Sequence, residues 1–125
     1  MADAVATQTM LDGSRKVTMK FTNISDGTGE AAVKKVDVSA LSPAATDVKI
    51  SRITYICAGM DVQILWDATT NVPAYVLSGD GAIDFKPMGG LVNNAGAGKT
   101  GDILFTTSGH TAGDSYSIIL EMDKR

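Results

Sequence analysis

Side chains that carry chemistry are scarce in this 125-residue sequence. It contains one histidine, one cysteine, one tryptophan, three tyrosines and three phenylalanines. One cysteine cannot form an internal disulfide, and one histidine beside it supplies too few ligands for a zinc site, which takes about four nitrogen or sulfur atoms. No apolar run approaches the roughly 18–20 residues of a membrane helix. The first residues also lack the basic start and apolar core of a signal peptide.

The balance of charge is mildly acidic, with a net charge of −3 at pH 7. Nucleic-acid binders normally carry a basic surface, so we expect no nucleic-acid partner, no membrane partner and a soluble protein made in a cytoplasm. All the acids except Glu30 and Glu121 are aspartates. Aspartate favours turns, whereas glutamate favours helices. The acids therefore already indicate a β protein with many turns.

What the sequence does contain is alternation with a period of two. Apolar and polar side chains alternate over residues 17–22 and again over residues 115–123, which is typical of strands with one buried face. Residues 48–58 also alternate, but the apolar parity changes near Ser51 and Arg52, which predicts a β-bulge there. Similar patterns predict further strands over residues 36–39, 60–67, 74–77, 82–86 and 102–107.

Clusters of glycine, aspartate, asparagine and serine separate these strands, as in antiparallel sandwiches and barrels. We predict an all-β fold, an antiparallel β-sandwich of about eight or nine strands that is either a jelly roll or a related sandwich. Residues 15–125 would form this single domain, and residues 1–14 an N-terminal arm or edge strand. Only residues 39–47 resemble a helix, and Pro43 interrupts them, so we expect at most one short helical turn.

Residues 93–100 imitate a phosphate-binding loop in the sequence Asn-Asn-Ala-Gly-Ala-Gly-Lys-Thr. That motif requires a glycine where Asn93 stands, and it requires a following helix whose first amides face the phosphates. A strand is predicted to follow instead. The segment is therefore interpreted as a glycine-rich connection.

No constellation of residues predicts catalysis, a metal site or a cofactor. His110 could act with Ser108 or Ser115 only from a glycine-rich turn that would hold a triad poorly. Cys57 continues an apolar strand face, which favours a buried thiol. Trp66 is interpreted as a core residue, with sugar stacking as the alternative. Several aspartates are predicted to cap turns, with calcium binding as the alternative, namely Asp61, Asp67, Asp80, Asp84, Asp102 and Asp114.

Apolar residues also occur on the faces opposite to the main apolar rows. Leu65, Leu104 and Ile119 occupy such positions, although the outer faces of a sandwich should be polar. Either the fold itself covers both faces, or a partner subunit covers one, because exposed apolar area commonly marks an interface. We therefore name these three residues, with Val5 and Met10 of the arm, as candidate interface residues.

Three segments resemble small β-rich virion proteins of tailed bacteriophages. They are residues 66–71 (Trp-Asp-Ala-Thr-Thr-Asn), residues 100–107 (Thr-Gly-Asp-Ile-Leu-Phe-Thr-Thr) and residues 113–120 (Gly-Asp-Ser-Tyr-Ser-Ile-Ile-Leu), and residues 15–27 are similar in character. Within that group the chain is similar to capsid decoration, or cement, proteins. The resemblance implies a trimeric β-sandwich on the outer capsid that bridges major capsid proteins. It transfers no functional residue, because the group has no fixed motif.

The resulting hypothesis is a non-enzymatic virion protein whose partners are the major capsid protein and further copies of itself. Residues 1–6 would lie along a neighbouring subunit by strand addition. One alternative is a carbohydrate- or receptor-binding sandwich, which exposed aromatics around Trp66 and Tyr75 would favour and a buried Trp66 would oppose. Another alternative is a neck or tail component of the virion. No cofactor is expected in any of these cases.

Overall fold

Nine β-strands make up most of the chain in the computed structural model. The structure describes residues 4–24, 32–41, 48–109, 111 and 113–124. The strands are β1 (Ala4–Asp12), β2 (Lys16–Ile24), β3 (Val33–Val36), β4 (Val48–Ala58), β5 (Asp61–Trp66), β6 (Val72–Leu77), β7 (Asp80–Asp84), β8 (Ile103–Ser108) and β9 (Ser115–Lys124). The all-β prediction is confirmed.

The strands form two antiparallel sheets whose order is that of a jelly roll. Sheet A has five strands in the order β1-β2-β9-β4-β7, and sheet B has four in the order β3-β8-β5-β6. From β2 to β5 the chain alternates between the sheets, and from β6 to β9 it alternates again. Together, β2 to β9 make the eight strands of two Greek keys. In this arrangement β1 is an additional strand at the edge of sheet A.

Period-two alternation places the apolar residues between the sheets. On β2, the side chains of Val17, Met19 and Phe21 are buried while those between them are partly exposed. On β9, Tyr116, Ile118, Leu120 and Met122 are buried in the same way. Sheet B contributes the opposing layer, which includes Val36, Val62, Ile64, Trp66, Leu77, Ile103 and Phe105. The buried faces are the ones that the sequence pattern predicts.

An aromatic cluster joins the two layers. The ring of Phe105 on sheet B meets Phe21 of sheet A edge-on, with ring centroids 5.2 Å apart. Tyr116 packs against Phe105 on its other side at 5.8 Å, also edge-on. Such edge-to-face pairs contribute about 0.5–1.5 kcal/mol beyond the burial of their area. These rings therefore fix how the sheets lie against each other.

The predicted bulge in β4 is confirmed. The register between β4 and β9 shifts between Ile50 and Arg52, so that Ser51 is the extra residue. Its hydroxyl donates to the carbonyl oxygen of Glu121 at 2.9 Å, and its own carbonyl accepts from the amide of Phe85 at 2.8 Å. The bulge keeps Ile50 and Ile53 in the core although their spacing has the wrong parity.

A buried carboxylate links sheet B to the connection that follows β3. Asp102 is 5% exposed, and its Oδ1 accepts from the amide of Val38 at 3.0 Å. Its Oδ2 lies 3.0 Å from the ammonium of Lys34, a half-exposed side chain. The hydrogen bond and the negative charge of Asp102 raise the pKa of Lys34. Asp102 thus contacts both Lys34 on β3 and Val38, which begins a short helical turn over residues 38–40.

Two short 3₁₀ turns occur in the described residues. Val38–Ala40 falls partly within the predicted helical segment 39–47, of which residues 42–47 lie outside the described residues. Asp37 precedes this turn and accepts from the amide and the hydroxyl of Ser39, which lowers the pKa of Asp37. The second turn, Lys86–Met88, was not predicted, and the strand predicted over residues 82–86 ends before it, as β7, at Asp84.

Replacing Asp102 with alanine is expected to lower the free energy of unfolding by about 1–3 kcal/mol, because a buried amide loses its acceptor. Asp102→Asn should cost less, since an amide oxygen still accepts from Val38. Lys34→Ala is the matched control for loss of the ion pair alone and should have the smallest effect. Urea unfolding followed by tryptophan fluorescence measures all three. Equal midpoints for Asp102→Ala and the unmodified protein would contradict this account.

Candidate interaction surface

Strand β1 has exposed side chains along most of its described length. It pairs with β2 along its length, from Ala4 opposite Ile24 to Asp12 opposite Val17, with a register shift between Thr9 and Leu11. Every side chain from residue 6 to residue 11 is exposed. No other described strand pairs with its outer edge. Both faces and one edge of β1 are therefore accessible.

The exposure of β1 follows from the unequal width of the sheets. Sheet A has five strands and sheet B has four. Thr7 and Thr9 lie opposite Phe21 and Met19 of β2, whose side chains enter the core. Thr7 and Thr9 point to the same side, yet they are exposed. The core therefore ends beneath β2, and β1 extends beyond it.

An uncharged strip continues from β1 across the outer face of sheet A. The register places Ala6, Thr22, Ser117 and Ile56 directly opposite one another on four neighbouring strands. Ile56 is 60% exposed, as is Ile24 on β2. We call β1 and this row the overhang surface. It combines backbone hydrogen-bonding groups at the edge with apolar and hydroxyl side chains on the face.

The structure places the five predicted interface residues in different environments. Met10 is 53% exposed on β1, and Ile119 is partly exposed on the outer face of sheet A. Val5 belongs to β1, but its side chain lies outside the described residues. Leu65 and Leu104 lie opposite each other on sheet B and are only 8% and 5% exposed. For these two leucines the burial favours the first of the two alternatives, in which the fold itself covers the face.

Ala4, Val5 and Ala6 pair with β2 of the same chain. The expectation that residues 1–6 lie only along a neighbouring subunit is therefore modified for residues 4–6, whose inner edge already has a partner. Residues 1–3 lie outside the described residues. Strand addition can still occur at the outer edge of β1.

Two of the residues considered for catalysis or ligand binding, Cys57 and Trp66, are buried in the core. Cys57 is 7% exposed, and burial, with a smaller contribution from the charge of Asp61, raises the pKa of its thiol to about 11. Trp66 is fully buried, as its interpretation as a core residue predicts. His110 lies outside the described residues.

The loop that imitates a phosphate site leads into a strand, as predicted. Residues 93–102 form no helix, and β8 follows at Ile103. The side chain of Asn93 folds back on the loop and accepts from the amide of Ala95 at 2.9 Å. No helix terminus is available there to face a phosphate.

Several of the predicted cap residues do act as caps. Asp84 accepts from the amide of Lys86 at 2.9 Å, and Asp114 accepts from the amide of Thr111 at 2.8 Å. Within the described ranges no group of three histidine, cysteine, aspartate or glutamate residues is arranged to hold a metal ion. In the same part of the chain no helix is long and apolar enough to cross a membrane.

Comparisons with known proteins find likeness in structure only. No family model and no curated protein matches the chain. A cupin superfamily protein from Desulfitobacterium hafniense aligns with 99% of this chain and 80% of its own, at 11% identity and a TM-score of 0.37. A cupin domain from Bordetella pertussis aligns with 100% and 97%, at 8% identity and 0.37. A family 29 carbohydrate-binding module aligns with 96% and 88%, at 9% identity and 0.43. The jelly-roll assignment itself rests on the strand order.

Strand β1 lies in the segment predicted to be an arm or edge strand, but its extension beyond the core was not predicted. The available signal was the run of eight uncharged residues from 4 to 11 without clear alternation. A core strand would have a regular apolar face, and a protected edge strand would usually carry charges. Residues 4–11 have neither feature. This combination marks the overhang surface.

Cys57 is expected to react with iodoacetamide about a hundredfold more slowly in the folded protein than in urea at pH 8, because the raised pKa leaves little thiolate. Mass spectrometry of timed samples measures the labelling.

Since the folded thiol binds its proton more tightly than the unfolded one, the free energy of unfolding should fall as pH rises from about 9 to about 11. Cys57→Ala should lack this fall. Equal labelling rates with and without urea would contradict the burial.

Proposed function

We propose that the protein is a non-enzymatic structural component of a tailed-phage virion, a decoration protein that binds the outer capsid surface. The observation that carries this proposal is the overhang surface. A long, uncharged edge strand with both faces exposed is an aggregation hazard in a free protein, and proteins usually protect such edges with charges, proline or a covering element. From residue 4 to residue 11 this edge has neither charge nor proline. Such an edge is expected in a strand that a partner covers in the assembled state.

The mode of binding that fits this surface is strand addition. A segment of a capsid protein, or a second copy of this chain, would extend sheet A by pairing with the outer edge of β1. Such contacts are individually weak, and repetition by capsid symmetry would supply avidity. The resemblance of residues 66–71, 100–107 and 113–120 to phage virion proteins supports the choice of a capsid as the partner. A trimer and the virion location belong to the same proposal.

The carbohydrate-binding alternative lacks an aromatic platform. Trp66 is fully buried, and only Tyr75 among the seven aromatic residues is exposed, at 37%. The ring of Tyr75 meets that of Phe85 edge-on, with centroids 5.7 Å apart. Sugar recognition would need rings that present a face to solvent, so the overhang surface is the better-supported site.

The test is co-sedimentation of the purified protein with capsids prepared without it. The unmodified protein should sediment in a fixed ratio to the major capsid protein. The double variant Thr7→Lys with Thr9→Lys should bind at least about tenfold more weakly, because an ammonium left unpaired in the interface costs more than the roughly 1–3 kcal/mol of a neutral polar group. Removing residues 1–10 should abolish binding. Light scattering should report a trimer.

The matched control carries the same added charge on exposed loop positions, Thr70→Lys with Asn94→Lys. It should sediment with capsids like the unmodified protein, and thermal unfolding should show that both double variants are folded. Absence of co-sedimentation for the unmodified protein would overturn the capsid role. Unchanged binding after removal of residues 1–10 would overturn the role of the overhang surface.

A further inference from the structure

Cationic side chains gather at one end of the sandwich although the chain is acidic overall. Because β9 runs antiparallel to both β2 and β4, the register places Asp123 opposite Lys16 on one side and Lys49 on the other. Lys124 and Arg15 are the next residues along these strands and the β1–β2 hairpin. The second 3₁₀ turn brings Lys86 to the same end. Residues far apart in sequence thus meet at one edge.

Two connected depressions lie among these side chains. One, of about 230 Å³, is lined by Lys49, Lys86 and Asp123 together with Ser51 and two glycines. The other, of about 420 Å³, is lined by Lys49 and Asp123 again and by three more cations, Arg15, Lys16 and Lys124. We call the two together the cationic groove. It has five cationic side chains and one carboxylate.

The cations of the groove are only partly neutralised. The ammonium of Lys16 lies 3.0 Å from Asp123, and that of Lys124 lies 2.6 Å from Asp12. Arg15, Lys49 and Lys86 form no ion pair with any residue that the structure describes. These three cations remain available to an anion.

A glycine shapes the floor of the groove. Gly90 adopts a φ of +91°, and a Cβ at this position would lie 2.7 Å from the Cγ and Cδ atoms of Lys49. Only glycine lets the stem of Lys49 pass so close to the backbone in this conformation. The amide of Leu91 then donates to Ile50 at 2.8 Å and ties the loop to β4. The loop at Gly90 therefore lies directly beside the stem of Lys49.

At the opposite end of the sandwich, the charged residues that the structure describes are all acidic. The charged residues described at that end are Asp61, Asp80 and Asp114, at the starts of β5 and β7 and in the turn before β9. The groove is thus a local positive field on a protein of net charge −3. Such a field favours an anion in the groove.

We propose that the cationic groove binds an acidic segment of a partner protein. Carboxylates spaced along an extended peptide match cations that line two adjoining depressions, and they can reach Arg15, Lys49 and Lys86 in turn. A nucleic acid fits less well, since its affinity depends on many phosphate contacts over an extended basic surface. The inference stands apart from the proposed virion role, because it rests on the charge of the groove and not on the overhang surface.

The test is fluorescence anisotropy with a short labelled peptide of alternating aspartate and glutamate. The peptide should bind saturably and weaken as salt rises. Lys49→Glu with Lys86→Glu should reduce affinity at least about tenfold, since two attractive pairs become repulsive. The matched control, Lys20→Glu with Lys99→Glu, makes the same change in net charge outside the groove and should change affinity less than about twofold.

Loss of affinity in the groove variant alone would support the proposal. Equal loss in both double variants would overturn it, because net charge alone would then explain binding. Absence of saturable peptide binding would also overturn it. Tighter binding to a single-stranded oligonucleotide or to anionic phospholipid vesicles than to the peptide would overturn the choice of an acidic protein segment. None of these outcomes alters the capsid co-sedimentation result, so failure of either proposal can be recognised separately.

Discussion

Phe105 of sheet B packs between Phe21 and Tyr116 of sheet A, and through these rings the two sheets hold each other at a fixed spacing. All three side chains are at most 1% exposed. Truncating a buried phenylalanine costs about 3–5 kcal/mol, which is a large part of the roughly 5–15 kcal/mol that stabilises a typical domain. The remaining core residues, Trp66 among them, extend the same layer along the strands.

The limited width of this core layer explains why the side chains of β1 are exposed. Sheet B has four strands and sheet A has five, and β1, the edge strand of sheet A, extends beyond the core that ends beneath β2. It is held by its backbone pairing with β2, and its hairpin is fastened by the ion pair of Asp12 with Lys124. Its side chains gain almost nothing from the core. β1 is ordered by its backbone pairing with β2, while its two faces and its outer edge stay exposed. A further strand can therefore pair with that outer edge.

A structural feature could be predicted from the sequence where its cause lies within one short segment of the chain. Most of the strands and their buried faces follow from alternation, and the bulge at Ser51 follows from a change of parity within one strand. The strand predicted over residues 36–39 was misplaced, because β3 covers Val33–Val36 and a 3₁₀ turn follows it. The strand order could not be derived, because pairing joins segments as distant as Lys16 and Asp123. For the same reason the sequence could not decide whether the fold or a partner covers Leu65 and Leu104, and it did not predict that Lys49 and Lys86 line the same depression. Their environments are set by non-local contacts that no short motif records.

The central claim is that the outer edge of β1 is free in the isolated protein and covered in the assembled state. Hydrogen–deuterium exchange measured by mass spectrometry, on the free protein and on protein bound to capsids, tests it most directly. The amides of residues 4–11 that face away from β2 should exchange rapidly in the free protein and slowly on the capsid, while core amides of β9 stay protected in both states. Protein that binds capsids with unchanged exchange over residues 4–11 would contradict the account.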